Sequence, residues 1–327
     1  MTPDDITIAV TVFDRRSYIE QAVASALAQT VPVRVIVVED CGPDAGLQSF
    51  VLQKFGPRIT YHRNAARRGL FDNWNACIEL CRTPWLCLLH DDDYLEPLFV
   101  ETMVELANKR PGKGLYYGLC RAVNANGKEM WKPPAPFDAE SWSLDSAKAA
   151  LGNPILFPGE IFRADYVKSL GGFLSTSQFT GDWDMWLKLT QDYGAAGVSR
   201  IVGNARDHFA EGRGTIRVVR NGKFCAYNIM QAKKNLAFLR RRGIRAAFSR
   251  AKYLDQNPVP VRYMLARASG LSPRMLSYNW GLLVHSRPTC LRDSFFLQLA
   301  RCLGPRFLAG LSFLYNRLSG KVSRRMS

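Results

Sequence analysis

Short apolar runs alternate with segments of helical periodicity along the first ninety residues of the chain. The apolar runs are rich in Val, Ile and Leu, and they predict buried strands at Ile6–Phe13, Val33–Val38, Ile59–His62 and Trp85–Leu89. The segments between them predict helices at Tyr18–Gln29, Leu47–Phe55 and Leu70–Cys81. Strand–helix–strand units of this length pair their strands in parallel, so we expect an α/β domain with a mostly parallel central sheet flanked by helices.

The pattern becomes more helical toward the C-terminus. Leu115–Val123 predicts a further strand, whereas Gly159–Leu170 and Asp184–Tyr193 have the spacing of helices. Beyond residue 212 the sequence predicts four basic helical segments, at Phe224–Phe238, Ile244–Leu254, Leu291–Leu303 and Arg306–Leu318. We therefore expect an α/β domain over residues 1–215 and a mainly α-helical region over residues 216–327.

Charge divides the chain at nearly the same place. Residues 1–211 contain 21 Lys and Arg against 26 Asp and Glu, a balance of −5, and residues 212–327 contain 23 against 2, a balance of +21. The last helices combine an apolar stripe with many basic residues, which is typical of a helix on an anionic membrane surface. A helical subdomain packed on the body of the protein is the alternative.

Composition restricts the class of protein further. No apolar run reaches the roughly 18 residues that span a bilayer, and the first residues lack the pattern of a signal peptide. We therefore expect a cytoplasmic protein. Because residues 212–327 are strongly basic, we also expect peripheral attachment to the inner face of the cell membrane. The 8 cysteines form no CxxC pair, which indicates reduced thiols in the core rather than a zinc site.

Three consecutive carboxylates, Asp91, Asp92 and Asp93, follow the apolar run Trp85–Leu89 and its last polar residue, His90. An unpaired buried carboxylate is costly, and adjacent carboxylates also repel one another. A bound divalent cation with oxygen ligands would relieve both costs. A solvated acidic turn that caps the next helix is the alternative.

The other predicted strands also end in polar side chains. Asp14 follows the first strand, Glu39 and Asp40 follow the second, and Asn64 follows the third. The carboxyl ends of parallel strands lie at one edge of a sheet, where open α/β sheets bind their ligands. This arrangement favours a cleft for a nucleotide and a metal over a solvated turn.

Five segments resemble, in the right order, the signature segments of glycosyltransferase family 2: Ile8–Gln29, Val35–Asp40, Arg63–Asn75, Leu88–Pro97 and Gly181–Leu187. The similarity covers about residues 6–215, and the basic remainder of the chain matches nothing specific. The resemblance implies the GT-A fold, in which a Rossmann-like domain binds a nucleotide sugar.

The resemblance also implies a metal site that holds Mg²⁺ or Mn²⁺ against the donor diphosphate. His90 stands where the family usually has the first aspartate of its metal motif. Asp93 is therefore the expected metal ligand, with Asp91 as the second ligand and Asp92 competing for that contact or lying at the nucleotide. His208 resembles the histidine that completes the metal shell.

Further roles follow from the same resemblance. Asp40 would bind the nucleotide base with Glu39 beside it, and Arg68 would help hold the diphosphate. Asp182 would act as the general base that deprotonates the acceptor hydroxyl, so that in-line displacement inverts the anomeric centre. Trp183 and Asp184 would contact the acceptor or the sugar, although packing of Trp183 and helix capping by Asp184 are alternatives.

These inferences predict an inverting glycosyltransferase that acts on a saccharide or lipid-linked acceptor in cell-surface polysaccharide synthesis, with a UDP-sugar as the default donor. A sugar-phosphate nucleotidyltransferase is disfavoured because the first loop, Val12–Arg16, contains no glycine. A non-catalytic protein that binds polyanions through its basic region is the third hypothesis. We expect no specific nucleic-acid partner, because the sequence contains no recognised nucleic-acid-binding module.

Overall fold

The computed structural model describes residues 1–131, 141–177, 179–206, 224–245 and 291–304, together with positions 307, 310, 311 and 314. The chain forms two compact units, the first from Met1–Ala149 and Asn153–Asp207 and the second from Ala150–Gly152 and His208–Ser327. The assignment of residues 1–215 and 216–327 to separate functional domains stays a prediction.

Ten strands among the described residues form one sheet in the first unit. They are β1 Ile6–Val12, β2 Arg34–Glu39, β3 Thr60–Arg63, β4 Trp85–His90, β5 Tyr94–Leu95, β6 Leu115–Val123, β7 Glu129–Trp131, β8 Ser141–Ser143, β9 Glu160–Arg163 and β10 Ala195–Arg206. Their order across the sheet is β3-β2-β1-β4-β9-β6-β10-β5, with β7 paired to β6 and β8 paired to β10.

Most neighbouring strands at the start of this order are parallel, as predicted. Strand β1 pairs in parallel with β2 and β4, β2 pairs in parallel with β3, and β10 pairs in parallel with β6. Strand β9 is antiparallel to both β4 and β6. The carboxyl ends of β1, β2, β3 and β4 therefore lie together at one edge, which is called the carboxyl edge below.

Helices cover both faces of the sheet. Those of the first unit are α1 Arg16–Leu27, α2 Leu47–Phe55, α3 Leu70–Leu80, α4 Phe99–Lys109, α6 Ala164–Ser169 and α7 Gly181–Tyr193, and α5 Ser146–Leu151 ends in the second unit. Alternate residues of β4 enter opposite cores: Cys87 and Leu89 pack with the residues of α1 and α4, whereas Leu86 and Leu88 pack with those of α3 and α7. This two-sided burial explains the continuous apolar runs in the sequence.

The helix predicted at Gly159–Leu170 is only half correct. Residues Glu160–Arg163 form strand β9, and helix α6 begins at Ala164. Ile161 and Phe162 are fully buried, and β9 pairs on both sides with strands of the sheet. Pairing with β4 and β6 thus outweighs the helical periodicity of this segment. Helix α4 and strand β10 were not predicted.

The described part of the second unit contains two helices, α8 Phe224–Arg241 and α9 Leu291–Leu303. Residues Phe296, Leu297 and Ala300 of α9 are buried, while Phe295 is 57% exposed. Most of the helices predicted at Ile244–Leu254 and Arg306–Leu318 lies outside the described residues. No helix in the described ranges combines the length and hydropathy needed to cross a membrane.

One side chain of α3 fixes the segment that precedes α7. Nδ2 of Asn75 donates to the carbonyl of Phe173 at 2.9 Å, and the amide of Phe173 donates to Oδ1 at 2.8 Å. Replacing Asn75 by Ala should lower the free energy of unfolding by about 2 kcal/mol, because it leaves two peptide groups without partners. Denaturant unfolding measures the change. The exposed Gln48→Ala is the control, and an equal effect in both variants would contradict this account.

Candidate functional site

The acidic triplet, Asp91–Asp93, turns away from β4 at the carboxyl edge. Its three residues are buried, with 5%, 8% and 6% of their surface exposed, so the solvated turn is not what forms. One oxygen each of Asp92 and Asp93 and a ring nitrogen of His90 lie within 4.8 Å of one another. Two carboxylates and an imidazole in this arrangement fit Mg²⁺ or Mn²⁺.

Arg15, in the loop between β1 and α1, neutralises part of the triplet. Its Nη1 lies 3.1 Å from Oδ1 of Asp91 and 2.6 Å from Oδ2 of Asp92. The amide of Phe13 also lies 3.4 Å from Oδ2 of Asp91. Burial and the charge of Asp92 nevertheless raise the pKa of Asp91 to about 7. Burial and the neighbouring carboxylate therefore outweigh the stabilising effect of Arg15 on the ionised form of Asp91.

Asp93 is held from two sides. Nδ1 of His90 lies 3.5 Å from its Oδ2, and the amide of Arg206 donates to its Oδ1 at 2.7 Å. Burial raises the pKa of Asp93, and the charge of Asp92 adds to that shift. Burial lowers the pKa of His90, but the hydrogen bond and charge of Asp93 outweigh it, and the net shift is upward. Nε2 of His90 is buried without a hydrogen-bond partner.

The guanidinium of Arg206, at the end of β10, fixes the backbone around the triplet. Its Nε donates to the carbonyl of Asp92 at 2.8 Å. Nη1 donates to the carbonyls of Asn124 and Ala125 at 3.1 and 2.7 Å, and Nη2 donates to Oε1 of Gln21 at 2.6 Å. Because Arg206 is only 8% exposed, these contacts tie β10, the β6–β7 turn and α1 to the triplet.

Glu39, the last residue of β2, is fully buried. Its carboxylate accepts hydrogen bonds from the amide of Gly42 at 3.1 Å and from the hydroxyl of Tyr61 at 2.6 Å. It also forms an ion pair with Arg63 of β3. The structure thus gives Glu39 partners that shape the loop after β2, and its contact with a nucleotide stays a prediction.

Asp40 closes the loop that leads into α3. Its oxygens accept hydrogen bonds from the amides of Arg68 and Gly69 at 2.7 and 2.8 Å and from Nδ2 of Asn64 at 3.2 Å. The guanidinium of Arg68 lies 3.4 Å from Glu79 of α3. Asp40 and Arg68, which were each predicted to bind the nucleotide donor, are therefore adjacent at the carboxyl edge. Arg68 contacts Asp40 through its backbone amide and not through its guanidinium.

Asp182 lies in the first turn of α7. Nδ2 of Asn153 donates to its Oδ2 at 2.8 Å. Burial raises the pKa of Asp182 to about 6, while the amide of Trp183, Asn153 and the positive charge of His90 act in the opposite direction. Asp182 therefore lies within electrostatic range of His90, the residue that precedes the triplet. A carboxyl group with this pKa is ionised at neutral pH and can still accept a proton.

Trp183 and Asp184 have other contacts in this structure. Trp183 is 1% exposed, and its Nε1 donates to the carbonyl of Ala149 at 2.5 Å. A carboxylate oxygen of Asp184 lies 2.6 Å from Nζ of Lys188, one turn further along α7. Their contacts with an acceptor or a sugar stay predictions, and the packing alternative describes the Trp183 ring as it lies here.

A row of aromatic rings connects the triplet to α7. The imidazole of His90 stacks on Trp74 at a centroid distance of 5.4 Å and an interplanar angle of 16°. His90 also contacts Phe157 at 4.8 Å, and Phe157 contacts Trp186 of α7 at 5.6 Å. Close-packed rings of this kind do not shift independently. The row therefore fixes the end of β4 relative to the helix that carries Asp182.

Glu160, in β9, is a buried carboxyl group that the sequence did not single out. It has no exposed surface, and neither side-chain oxygen has a hydrogen bond of normal geometry. Burial raises its pKa well above the usual range, its own amide and that of Leu88 oppose the shift, and the charges of Asp182 and Asp93 add to it. Burial of Glu160 thus favours its protonated form, and the group lies within electrostatic range of Asp93 and Asp182.

Several residues of the site could not be found from the sequence pattern. Arg15, Arg206 and Asn153 reach the acidic residues only through the fold, so their spacing in sequence carries no signal. Glu160 has a signal, because it is a lone acid inside an apolar segment, but the segment was assigned to a helix. His208, the predicted histidine of the metal shell, lies outside the described residues.

The fold and the acidic carboxyl edge together are those of a GT-A type α/β domain. The crystal structure of S. aureus TarS 1-349 in complex with UDP-GlcNAc matches with a TM-score of 0.54 at 14% identity, over 95% of this chain and 91% of that chain. This likeness confirms the predicted fold. The sequence profile described as glycosyl transferase family 2 matches residues 7–164. The chain therefore contains a glycosyltransferase family 2 domain over residues 7–164, as the resemblance implied.

Curated relatives include enzymes and biosynthetic proteins that are longer than the matching region. The succinoglycan biosynthesis protein ExoO of Rhizobium meliloti is 34% identical over 105 residues, which are 32% of this chain and 30% of that protein. The chondroitin synthase of Escherichia coli is 25% identical over 190 residues, 57% of this chain and 26% of that protein. The chain also spans 27% to 62% of the length of uncharacterised glycosyltransferases of Rickettsia bellii and Haemophilus influenzae.

Replacing Glu160 by Gln should stabilise the protein more at pH 8 than at pH 5. The folded-state pKa of Glu160 is raised, so wild type loses stability as pH rises above the unfolded-state value, where only the unfolded chain ionises. Gln is neutral at both pH values and removes this loss. Thermal unfolding midpoints at the two pH values measure it, with the exposed Glu79→Gln as the control. A gain that does not grow with pH would contradict the prediction.

Proposed function

We propose that the protein is a metal-dependent inverting glycosyltransferase that transfers a sugar from a nucleoside-diphosphate donor to a hydroxyl group of a saccharide or lipid-linked acceptor. The observation that carries this proposal is the burial of three adjacent carboxylates at the carboxyl edge, within electrostatic range of a fourth, Asp182. Such a concentration of buried negative charge serves no purpose in packing. It fits a site that binds a cation together with a diphosphate.

Asp92 and Asp93 would hold the metal ion, with Asp91 and the free Nε2 of His90 as further candidate ligands and His208 as the predicted completing histidine. A bound Mg²⁺ or Mn²⁺ supplies positive charge that stabilises the leaving nucleoside diphosphate. Asp40, Glu39 and Arg68 would form the nucleotide side of the cleft.

Asp182 would accept the proton of the acceptor hydroxyl as that oxygen attacks the anomeric carbon from the face opposite the diphosphate. The C–O bond to the acceptor forms as the bond to the diphosphate oxygen breaks, so the anomeric configuration inverts. Asn153 would orient the carboxylate through its hydrogen bond to Oδ2. Trp183 and Asp184, on the same helix turn, would support or contact the acceptor. Trp183, which is buried, and Asp184, which is paired with Lys188, would support the acceptor site from the positions that they occupy in this structure.

Donor and acceptor classes follow from the relatives. TarS has been solved with UDP-GlcNAc and with UDP, which favours a UDP-sugar as the donor here. ExoO is named for succinoglycan biosynthesis and a second relative for chondroitin synthesis. These names favour a saccharide acceptor and a role in polysaccharide synthesis.

Replacing Asp182 by Asn should lower the rate of sugar transfer by about 10²- to 10⁴-fold, because the general base is lost, and should leave donor binding within about twofold. Asp192→Asn, at an exposed position near the end of the same helix, is the control and should retain most of the activity. Transfer assays and UDP titrations separate the two effects. Normal turnover by Asp182→Asn would exclude this base.

The rate of transfer should also fall on the acid side, with an apparent pKa near 6, because the base must be ionised and burial raises its pKa to about 6. A pH profile of kcat/KM at saturating Mn²⁺ measures this limb. Its absence down to pH 5 would argue that another group abstracts the proton.

A thermal-shift screen tests the donor class. UDP, GDP and dTDP and their sugar derivatives, each with and without Mn²⁺, should include at least one ligand that raises the unfolding midpoint only when the metal is present. A ligand that binds only the folded state stabilises it by mass action. If no nucleotide changes the midpoint under either condition, the proposed function is wrong.

Attachment to an anionic membrane surface is a second proposal, carried by the basic second unit. Residues 212–327 have a charge balance of +21, and the apolar side chains of Phe295, Phe307 and Leu314 are 57%, 58% and 41% exposed. Co-sedimentation with anionic liposomes at physiological salt should exceed binding to a random oligonucleotide. Binding to the oligonucleotide without binding to liposomes would favour the polyanion-binding hypothesis instead.

A further inference from the structure

We propose that Arg15 is the internal counter-ion of the acidic triplet in the metal-free protein, and that it moves to the donor diphosphate when a divalent cation takes its place. This inference rests on the proposed function, because it presumes that the triplet binds a metal ion. It adds an exchange of partners in which one guanidinium couples metal binding to donor binding.

The geometry of the ion pair makes the two cations competitors. Nη1 of Arg15 lies 2.6 Å from Oδ2 of Asp92 and 3.1 Å from Oδ1 of Asp91. A metal ion needs the lone pairs of such oxygens at about 2.0–2.6 Å. A guanidinium this close shares the coordination space of Asp92, and its charge repels an incoming cation. Binding of the metal through Oδ2 of Asp92 therefore requires Arg15 to withdraw.

The side chain of Arg15 is suited to withdrawal. It lies in the short loop between β1 and α1, where Asp14 and Arg16 are exposed. The side chain of Arg15 itself is 21% exposed. Its Nε is buried and has no hydrogen-bond partner among the residues that the structure describes, so within them the present position leaves one donor of the guanidinium unsatisfied. Rotation of a long side chain on this loop frees the carboxylates without moving the sheet.

Charge balance indicates where the guanidinium goes. The triplet carries three negative charges when ionised, so one negative charge remains when a divalent cation takes the place of Arg15. The donor diphosphate then brings further negative charge to the same edge. A planar guanidinium binds phosphate oxygens through two parallel hydrogen bonds. A second guanidinium, that of Arg67, lies 4.2 Å from the ring centre of Phe13, so the edge beside this loop is already positive.

The test compares Arg15→Gln with Arg16→Gln, the control at the next position. Arg16 pairs with Asp44 on the surface, away from the triplet. Electron paramagnetic resonance of free Mn²⁺ measures metal binding without nucleotide, and calorimetry measures UDP binding at saturating Mn²⁺. Arg15→Gln should bind Mn²⁺ roughly tenfold more tightly and UDP roughly tenfold more weakly. Each tenfold change in affinity corresponds to about 1.4 kcal/mol of binding free energy. Arg16→Gln should match wild type in both.

A third variant, Arg15→Lys, keeps the charge and loses the planar fork. It should bind Mn²⁺ as weakly as wild type and UDP more weakly than wild type, and it allows the test if Arg15→Gln does not fold. The exchange would be overturned if Arg15→Gln bound Mn²⁺ no more tightly than wild type, or if Arg15→Lys showed the same increase in Mn²⁺ affinity as Arg15→Gln. Unchanged UDP affinity in Arg15→Gln would also overturn it. Failure of wild type to bind either Mn²⁺ or UDP would instead contradict the proposed function.

Discussion

Negative charge at the end of a buried strand is the constraint around which the first unit is arranged. Asp91, Asp92 and Asp93 are each more than nine-tenths buried, and their mutual repulsion opposes folding unless positive groups or hydrogen-bond donors lie close. The protein supplies Arg15 from the β1–α1 loop and the amide of Arg206 from β10. Despite them, burial and the charge of Asp92 keep the pKa of Asp91 raised.

The order of strands explains why these partners come together. Strand β1 lies directly beside β4, so the loop after β1 meets the triplet at the carboxyl edge. The end of β10 also lies beside the triplet, because Asn204 of β10 pairs with Tyr94 of β5 and Tyr94 directly follows Asp93 in sequence. The aromatic row from Trp74 to Trp186 then fixes α7 against the end of β4. The strand order and the aromatic row thus bring Asp182 within electrostatic range of His90, although Asp182 lies nearly ninety residues beyond the triplet in sequence.

The sequence was sufficient for features that depend on local pattern. The strands before residue 90 and helices α1, α2 and α3 appear within a few residues of their predicted bounds, because their cores are two-sided and their periodicity is uninterrupted. The triplet stood out because acidic residues are rare at the ends of apolar strands, whereas Asp182 was named from the resemblance to a family motif, and the roles of both stay predictions. Strand β9 was mistaken for a helix because its identity depends on pairing with β4 and β6. Arg15 and Arg206 were not recognised as partners of the triplet because arginines are common and only tertiary structure reveals their contacts.

The central claim is that the triplet binds a divalent cation that exchanges with Arg15. Anomalous diffraction from crystals grown with Mn²⁺ and UDP tests it most directly, because the signal locates manganese independently of the protein atoms. The account predicts a single strong peak in contact with oxygens of Asp92 and Asp93. It also predicts that Nη1 of Arg15 lies more than about 4 Å from both carboxylate oxygens of Asp92, so that the ion pair is broken. A peak elsewhere in the cleft, or an intact Arg15–Asp92 ion pair beside bound manganese, would contradict it.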